Sequence, residues 1–218
     1  MAQSSSATTH NKFVDHHFID ADQQLDTAKM GMWIFLVTEI LFFGGLFAAY
    51  AIYRIWYPEL FAEASTELDR IMGTVNTVVL ILSSLTVALA IRAAKLDYQR
   101  QQIIYLAGTI LLACVFMVIK YFEWTHKFHL GIFPGEFYAF EGIEHPKAPI
   151  FFSLYYVMTG MHGLHVVIGI GLMIWLIIGA SKGKYHSQYY NPVEITGLYW
   201  HLVDIIWIFL FPLFYLIG

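Results

Sequence analysis

Three carboxylates, Glu39, Glu123 and Asp204, stand inside apolar stretches long enough to cross a bilayer, and two such stretches carry imidazoles, His162 with His165 and then His201. A charge left in hydrocarbon costs at least ~2.5 kcal/mol, so each of these groups needs a partner, a proton, a lipid head group or a water-filled cleft. Intramembrane ionisable groups are therefore the first functional suspects. Spacing says which partners lie within reach.

His162 and His165 are three residues apart in Thr159-Gly160-Met161-His162-Gly163-Leu164-His165, which puts both on roughly the same face of a helix. A metal site can begin this way, with His201, Glu39 or Glu123 completing it from other helices. Dense histidine clusters and the paired Glu-x-x-His motifs of carboxylate-bridged di-iron bundles are missing, so the histidines read as hydrogen-bonded polar groups, and no metal or catalytic residue is assigned. A bis-histidine haem between His165 and His201 is geometrically allowed. Glu123 follows Lys120 by three residues, a spacing for an ion pair, and His201 and Asp204 repeat it, so that imidazole could hydrogen-bond carboxylate. Glu39 differs, because Trp33 to Tyr53 holds no basic residue. It must take a proton, bond a histidine of another helix, or face water or a lipid amine.

The elements that position these groups follow from composition. The chain has 218 residues, 58% hydrophobic and 13% charged, with a mean hydropathy of +0.60, against about 25% charged for a soluble domain. Five apolar runs, about 30–53, 72–94, 103–125, 150–179 and 195–217, each reach the ~20 residues that span a hydrocarbon core. Their apolarity is continuous rather than alternating, which argues for helices over an outer-membrane barrel. The fold class expected is an all-α, polytopic bundle of five transmembrane helices over residues 28–218, behind a polar tail, 1–27, with no removable signal peptide.

Lys12, Lys29, Arg92, Lys95, Arg100, Lys182 and Lys184 fall on one side of such a bundle. Only Arg54, Arg70, Lys127 and Lys147, among seven acids, Glu144 included, fall on the other, so the amino terminus is expected in the cytoplasm. No basic run calls for nucleic acid. Cys114 stands alone mid-span. The connections 54–71, 95–102, 126–149 and 180–194 read as polar loops. Trp33, Trp56, Tyr57 and Trp124 read as interfacial anchors. Gly44, Gly45, Gly160, Gly163, Gly169 and Gly171 are expected to permit close helix approach.

The motifs then converge on a family. Gly31-Met32-Trp33 through Thr38-Glu39-Ile40-Leu41-Phe42-Phe43, with Asn76-Thr77-Val78-Val79-Leu80, resembles the third and fourth helices of subunit III of haem-copper terminal oxidases. Tyr121-Phe122-Glu123-Trp124, Thr159 to Gly169, and Tyr199-Trp200-His201-Leu202-Val203-Asp204-Ile205-Ile206-Trp207 resemble its remaining segments in order. The resemblance runs from about Met30 to the end and is to the five-helix bacterial form. Larger members carry two further helices that form a V-shaped, phospholipid-filled cleft.

That resemblance implies an accessory subunit of a proton-pumping terminal oxidase of aerobic respiration, in the bacterial cytoplasmic (inner) membrane. It implies no cofactor of its own, with haems and copper in the partner subunits, catalytic subunit I above all, beside subunit II. It further implies bound phospholipid and membership of a respiratory supercomplex. The subunit would support catalytic-subunit stability and proton uptake. By motif position Glu39, Glu123 and Asp204 are its buried acids, and His162, His165, His201, Lys120 and Asn76 its polar or lipid-facing network. Cytochrome c oxidase is the leading expectation. A quinol oxidase or a nitric-oxide-reductase-associated homologue is the alternative, and a stand-alone membrane metalloenzyme or transporter the distant one.

Overall fold

The computed structural model describes residues 21–143 and 145–217. Lys12, with the tail up to residue 20, and Glu144 lie outside the described residues. Among the described residues six α-helices follow one another: α1 (Ala21–Trp56), α2 (Pro58–Thr66), α3 (Arg70–Lys95), α4 (Gln99–His129), α5 (Ala148–Ser181) and α6 (Asn191–Tyr215). All but α2 are long and apolar enough to cross a membrane. Among the described residues there is no strand, and the chain is a multi-pass membrane protein.

Helix ends are set by local chemistry. Asp69 caps α3, its carboxylate accepting from the N–H groups of Ile71 at 2.8 Å and Met72 at 3.1 Å. Proline stands in the first turn of α2, α5 and α6, where the missing N–H has no intrahelical partner to lose. Helix α1 already includes residues 21–29, ahead of its apolar run, because they contain neither Gly nor Pro to stop a helix that the span nucleates.

The 54–71 connection is more than a polar loop. Its α2 buries Leu60, Phe61, Ala64 and Ser65, and Phe61 meets Tyr50 of α1 and Phe151 of α5 edge-on at 5.3 and 5.2 Å. Each such buried ring contributes ~1.5–3 kcal/mol. Alternation of charged and apolar residues over only nine positions is too short a pattern to separate from a loop.

Helices α3, α4, α5 and α6 pack as a bundle, with α1 laid against α6 and α5 from outside. Burial makes the contrast plain: 56% of the most apolar window of α6 is buried within the chain, against 11% for α1. The core stripe of α6 carries Trp200, Asp204, Trp207 and Phe214, all buried. Only part of the glycine expectation fits. A side chain at Gly169 would meet Trp200 at 2.5 Å, whereas Gly44, Gly45 and Gly171 face open space; two further close approaches between helices use Gly73, beneath Phe211 and Tyr215, and Gly197, beneath Ile91.

Candidate functional site

Two carboxylates anchor two separate sites. The first is closed. On α4, Lys120, Glu123 and Lys127 fall on one helix face by their three- and four-residue spacing, and all three are buried. Lys120 Nζ donates to Glu123 Oε2 at 2.9 Å, to the Tyr155 hydroxyl at 3.2 Å and to the Tyr215 hydroxyl at 2.7 Å. Both tyrosines pass their own protons on: Tyr155 donates to Glu123 Oε1 at 2.8 Å and Tyr215 at 2.6 Å. Lys127 Nζ stands 4.0 Å from the same oxygen and donates to the Glu67 carbonyl at 3.1 Å, tying the end of α2 to α4. The Lys120 ammonium also lies 5.0 Å from the Trp207 ring centre and 5.1 Å from that of Tyr155. Charge and hydrogen-bond demand are met inside the chain, which is what burying ions in a membrane protein requires.

The second site is open. Glu39 on α1 finds its partner across the helix gap, with Oε2 3.0 Å from His165 Nε2. The other ring nitrogen, Nδ1, is 2.7 Å from the Met161 carbonyl; if it carries the proton, Nε2 is left to accept or to become cationic toward Glu39. Tyr199 donates to the His165 carbonyl at 3.0 Å and fixes α6 beside it. This pair forms part of the wall of a 660 Å³ cleft between α1, α5 and α6, otherwise lined by Met32, Phe35, Ile168, Leu172 and Trp175 among others. The side chains of His165 and Glu39 keep 12% and 18% of their surface accessible, where those of Lys120 and Glu123 keep 8% and 2%. A larger groove, 720 Å³, runs between α4 and α5 over Gly160 and Gly163; Lys120 stands in its wall, with its ammonium given to Glu123 and the two tyrosines.

The remaining polar residues part company with their expected pairings. His162 and His165 do not act as one face. His162 is fully buried against Phe116 and Trp207, with ring centres 5.5 and 5.2 Å away, while His165 turns to α1. Three residues on a helix leave about 60° between side chains, and in a tightly packed bundle that angle reaches a different neighbour. His201 does not bond Asp204. Its Nδ1 lies 2.6 Å from the Ser84 hydroxyl of α3, because Asp204 points into the core and His201 stands half-buried at its edge. Asp204 and Asn76 are buried and, among the described residues, make no hydrogen bond of good geometry, although the Ser84 hydroxyl stands beside the Asp204 carboxyl; both nitrogens of His162 share that condition. Among the described residues no three His, Cys, Asp or Glu side chains converge.

At the other end of the bundle Glu194 reaches Lys29 at 3.5 Å and Lys95 at 3.3 Å, joining α1, α3 and α6. Gln99 donates to the Ala180 carbonyl at 2.6 Å, closing the end of α5. Asp97, at φ +60°, accepts from the Ser187 N–H at 2.6 Å. That hydrogen bond holds its carboxyl below the ordinary value. Burial pushes the Tyr185 hydroxyl up to about 12.

Lys127, Tyr155 and Tyr215 were not singled out by sequence, although all three touch Glu123. Lys127 had a signal, its four-residue spacing from Glu123. The tyrosines had none, since 35 and 95 residues of sequence separate them from Lys120.

Comparison with known proteins adds to this geometry. The profile of the family described as cytochrome c oxidase subunit III matches residues 7–218. Cytochrome c oxidase subunit 3 of Thermostichus vulcanus is 35% identical over 209 residues, covering 94% of this chain and 92% of that protein. A probable quinol oxidase subunit 3 of Staphylococcus haemolyticus is 31% identical over 192 residues, 87% of this chain and 89% of that one. Heme-copper oxidase subunit I+III of Aeropyrum pernix is 30% identical over 198 residues, 88% of this chain; the match spans 23% of that longer protein.

Proposed function

The chain belongs to the cytochrome c oxidase subunit III family, and from that membership we propose that it is the non-catalytic subunit III of a proton-pumping cytochrome c oxidase in a bacterial inner membrane. The observation that carries the non-catalytic reading is the divergence of the three intramembrane histidines: His162 meets Trp207, His165 meets Glu39 and His201 meets Ser84. No two of them aim at a common centre, so a haem or metal held by this set would need the bundle rebuilt. Electron transfer and oxygen reduction then belong to haems and copper in the partner subunits.

Subunit I is the partner of first choice, since in the Aeropyrum pernix relative the name itself joins I and III in one chain. Subunit II and a wider supercomplex follow from the same reading. Phospholipid fits the 660 Å³ cleft, whose apolar walls would take acyl chains while Glu39 and His165 offer a hydrogen-bonded polar group at mid-depth. The side holding Lys29, Lys95, Lys182 and Lys184 would face the cytoplasm.

The test is an affinity capture of the tagged chain in mild detergent, followed by a visible redox spectrum and identification of the co-purified chains. A haem-copper catalytic subunit that carries every haem is the expected result. The chain emerging alone with its own haem or metal would overturn it. A quinol oxidase is the second reading, favoured by the Staphylococcus haemolyticus relative; turnover of the captured complex with reduced cytochrome c, rather than with a quinol, decides between the two.

A further inference from the structure

We propose that the bundle holds internal water between α3, α5 and α6, bridging the Asp204 carboxyl to His162 and Asn76. The three side chains are 3%, 0% and 0% exposed, and among the described residues none of their six polar atoms makes a hydrogen bond of good geometry, the Ser84 hydroxyl beside the Asp204 carboxyl included.

Their common depth follows from the contacts around them. Trp200 donates to Ser83 and Trp207 donates to Thr77, each at 3.0 Å, so these two pairs bracket Asp204 on α6 and residues 77–83 on α3. Asn76 adjoins the lower bracket. The Trp207 ring is also the one that meets His162, and Phe116 of α4 touches both, at 4.9 and 5.5 Å. Asp204 lies one turn from Trp207 on the buried stripe of α6, facing the same interior as His162.

Other polar groups near this layer are already engaged. Ser84 is bonded to His201, His165 to Glu39, and Lys120 to Glu123 and two tyrosines. No cation is within ion-pairing distance of Asp204 among the described residues, and an unpaired carboxylate in such a place costs several kcal/mol. A carboxylic acid that keeps its proton and donates it to water avoids that penalty. Water also serves the imidazole and the amide together, because one molecule both donates and accepts, and buried waters make about three such bonds at about one site per 27 residues. A site of this kind needs no partner chain, so it stands apart from the subunit assignment.

The experiment is infrared spectroscopy of the intact complex, unmutated and with Asp204→Asn, in H2O and after transfer to D2O. Expected are a protonated-carboxyl carbonyl band that Asp204→Asn removes and that shifts in D2O without unfolding. A band unchanged by the substitution, or one that D2O leaves in place, overturns the proposal. Should Asp204→Asn fail to assemble, a high-resolution map of the unmutated complex tests the same point. A solvent peak within hydrogen-bond distance of Asp204 and of His162 or Asn76 supports the site. Direct contact among the three side chains, or no peak where other internal waters are resolved, removes it.

Discussion

Glu123 and Glu39 are both glutamates at membrane depth, and the bundle treats them in opposite ways. Glu123 stands on α4, between α5 and α6, where two lysines and two tyrosine hydroxyls surround it. Glu39 stands on α1, the outermost helix, with one imidazole and an open cleft. The closed site uses its polar groups on one another, so its work is to hold α4, α5 and α6 together. The open site leaves a carboxyl and an imidazole facing whatever fills the cleft. Position in the bundle, more than residue type, separates a structural ion from an available one.

The sharpest way to break that contrast is to remove the closed site's anion. Glu123→Leu leaves Lys120 buried without its counter-ion and Lys127 with only the more distant Glu67 and Asp69, and is expected to destabilise by about 3–5 kcal/mol. Thermal unfolding in detergent and loss of the assembled subunit measure it. A smaller cut comes from Tyr155→Phe, which deletes a hydroxyl that accepts from Lys120 and donates to Glu123. About 1.5–3 kcal/mol is expected for hydrogen bonds to charged groups, read from the same unfolding curves. Glu39→Gln should cost under about 1 kcal/mol, as the amide keeps the shape of the carboxyl and can still hydrogen-bond His165 Nε2. Its expected signature is less phospholipid retained by the purified complex, with the fold unchanged. A Glu39→Gln variant as unstable as Glu123→Leu would abolish the distinction between the two sites.

The smallest effect lies outside the membrane, at Asp97, and carries a pH sign. The Ser187 N–H holds the folded carboxyl below its ordinary value of ~3.9. Its stabilisation is therefore present above that value and fades as pH falls through the lower folded one. Stability curves of the native chain and Asp97→Asn should differ at neutral pH and merge in acid.

Much of the architecture was legible because hydropathy acts locally. A run of apolar residues must form its own backbone hydrogen bonds in hydrocarbon, so five long helices follow from composition and length. The Lys120–Glu123 pair was legible for the same reason, since both ends sit on one helix. Helix α2 was not, because nine residues give too little periodicity and its burial depends on Tyr50 and Phe151 arriving from other helices.

Local pattern in the residues is enough to establish an all-α membrane protein of the subunit III family, the acids that lie at membrane depth, and the one that has a cation on its own helix. Where each side chain turns came from the packing of the helices. It sent His162 to Trp207 and His165 to Glu39 although three residues separate them, gave His201 to Ser84, and buried Asp204 in the core beside that serine. Helical spacing fixes an angle around one axis. What occupies that direction is set by the packing of the other helices, which no local pattern encodes.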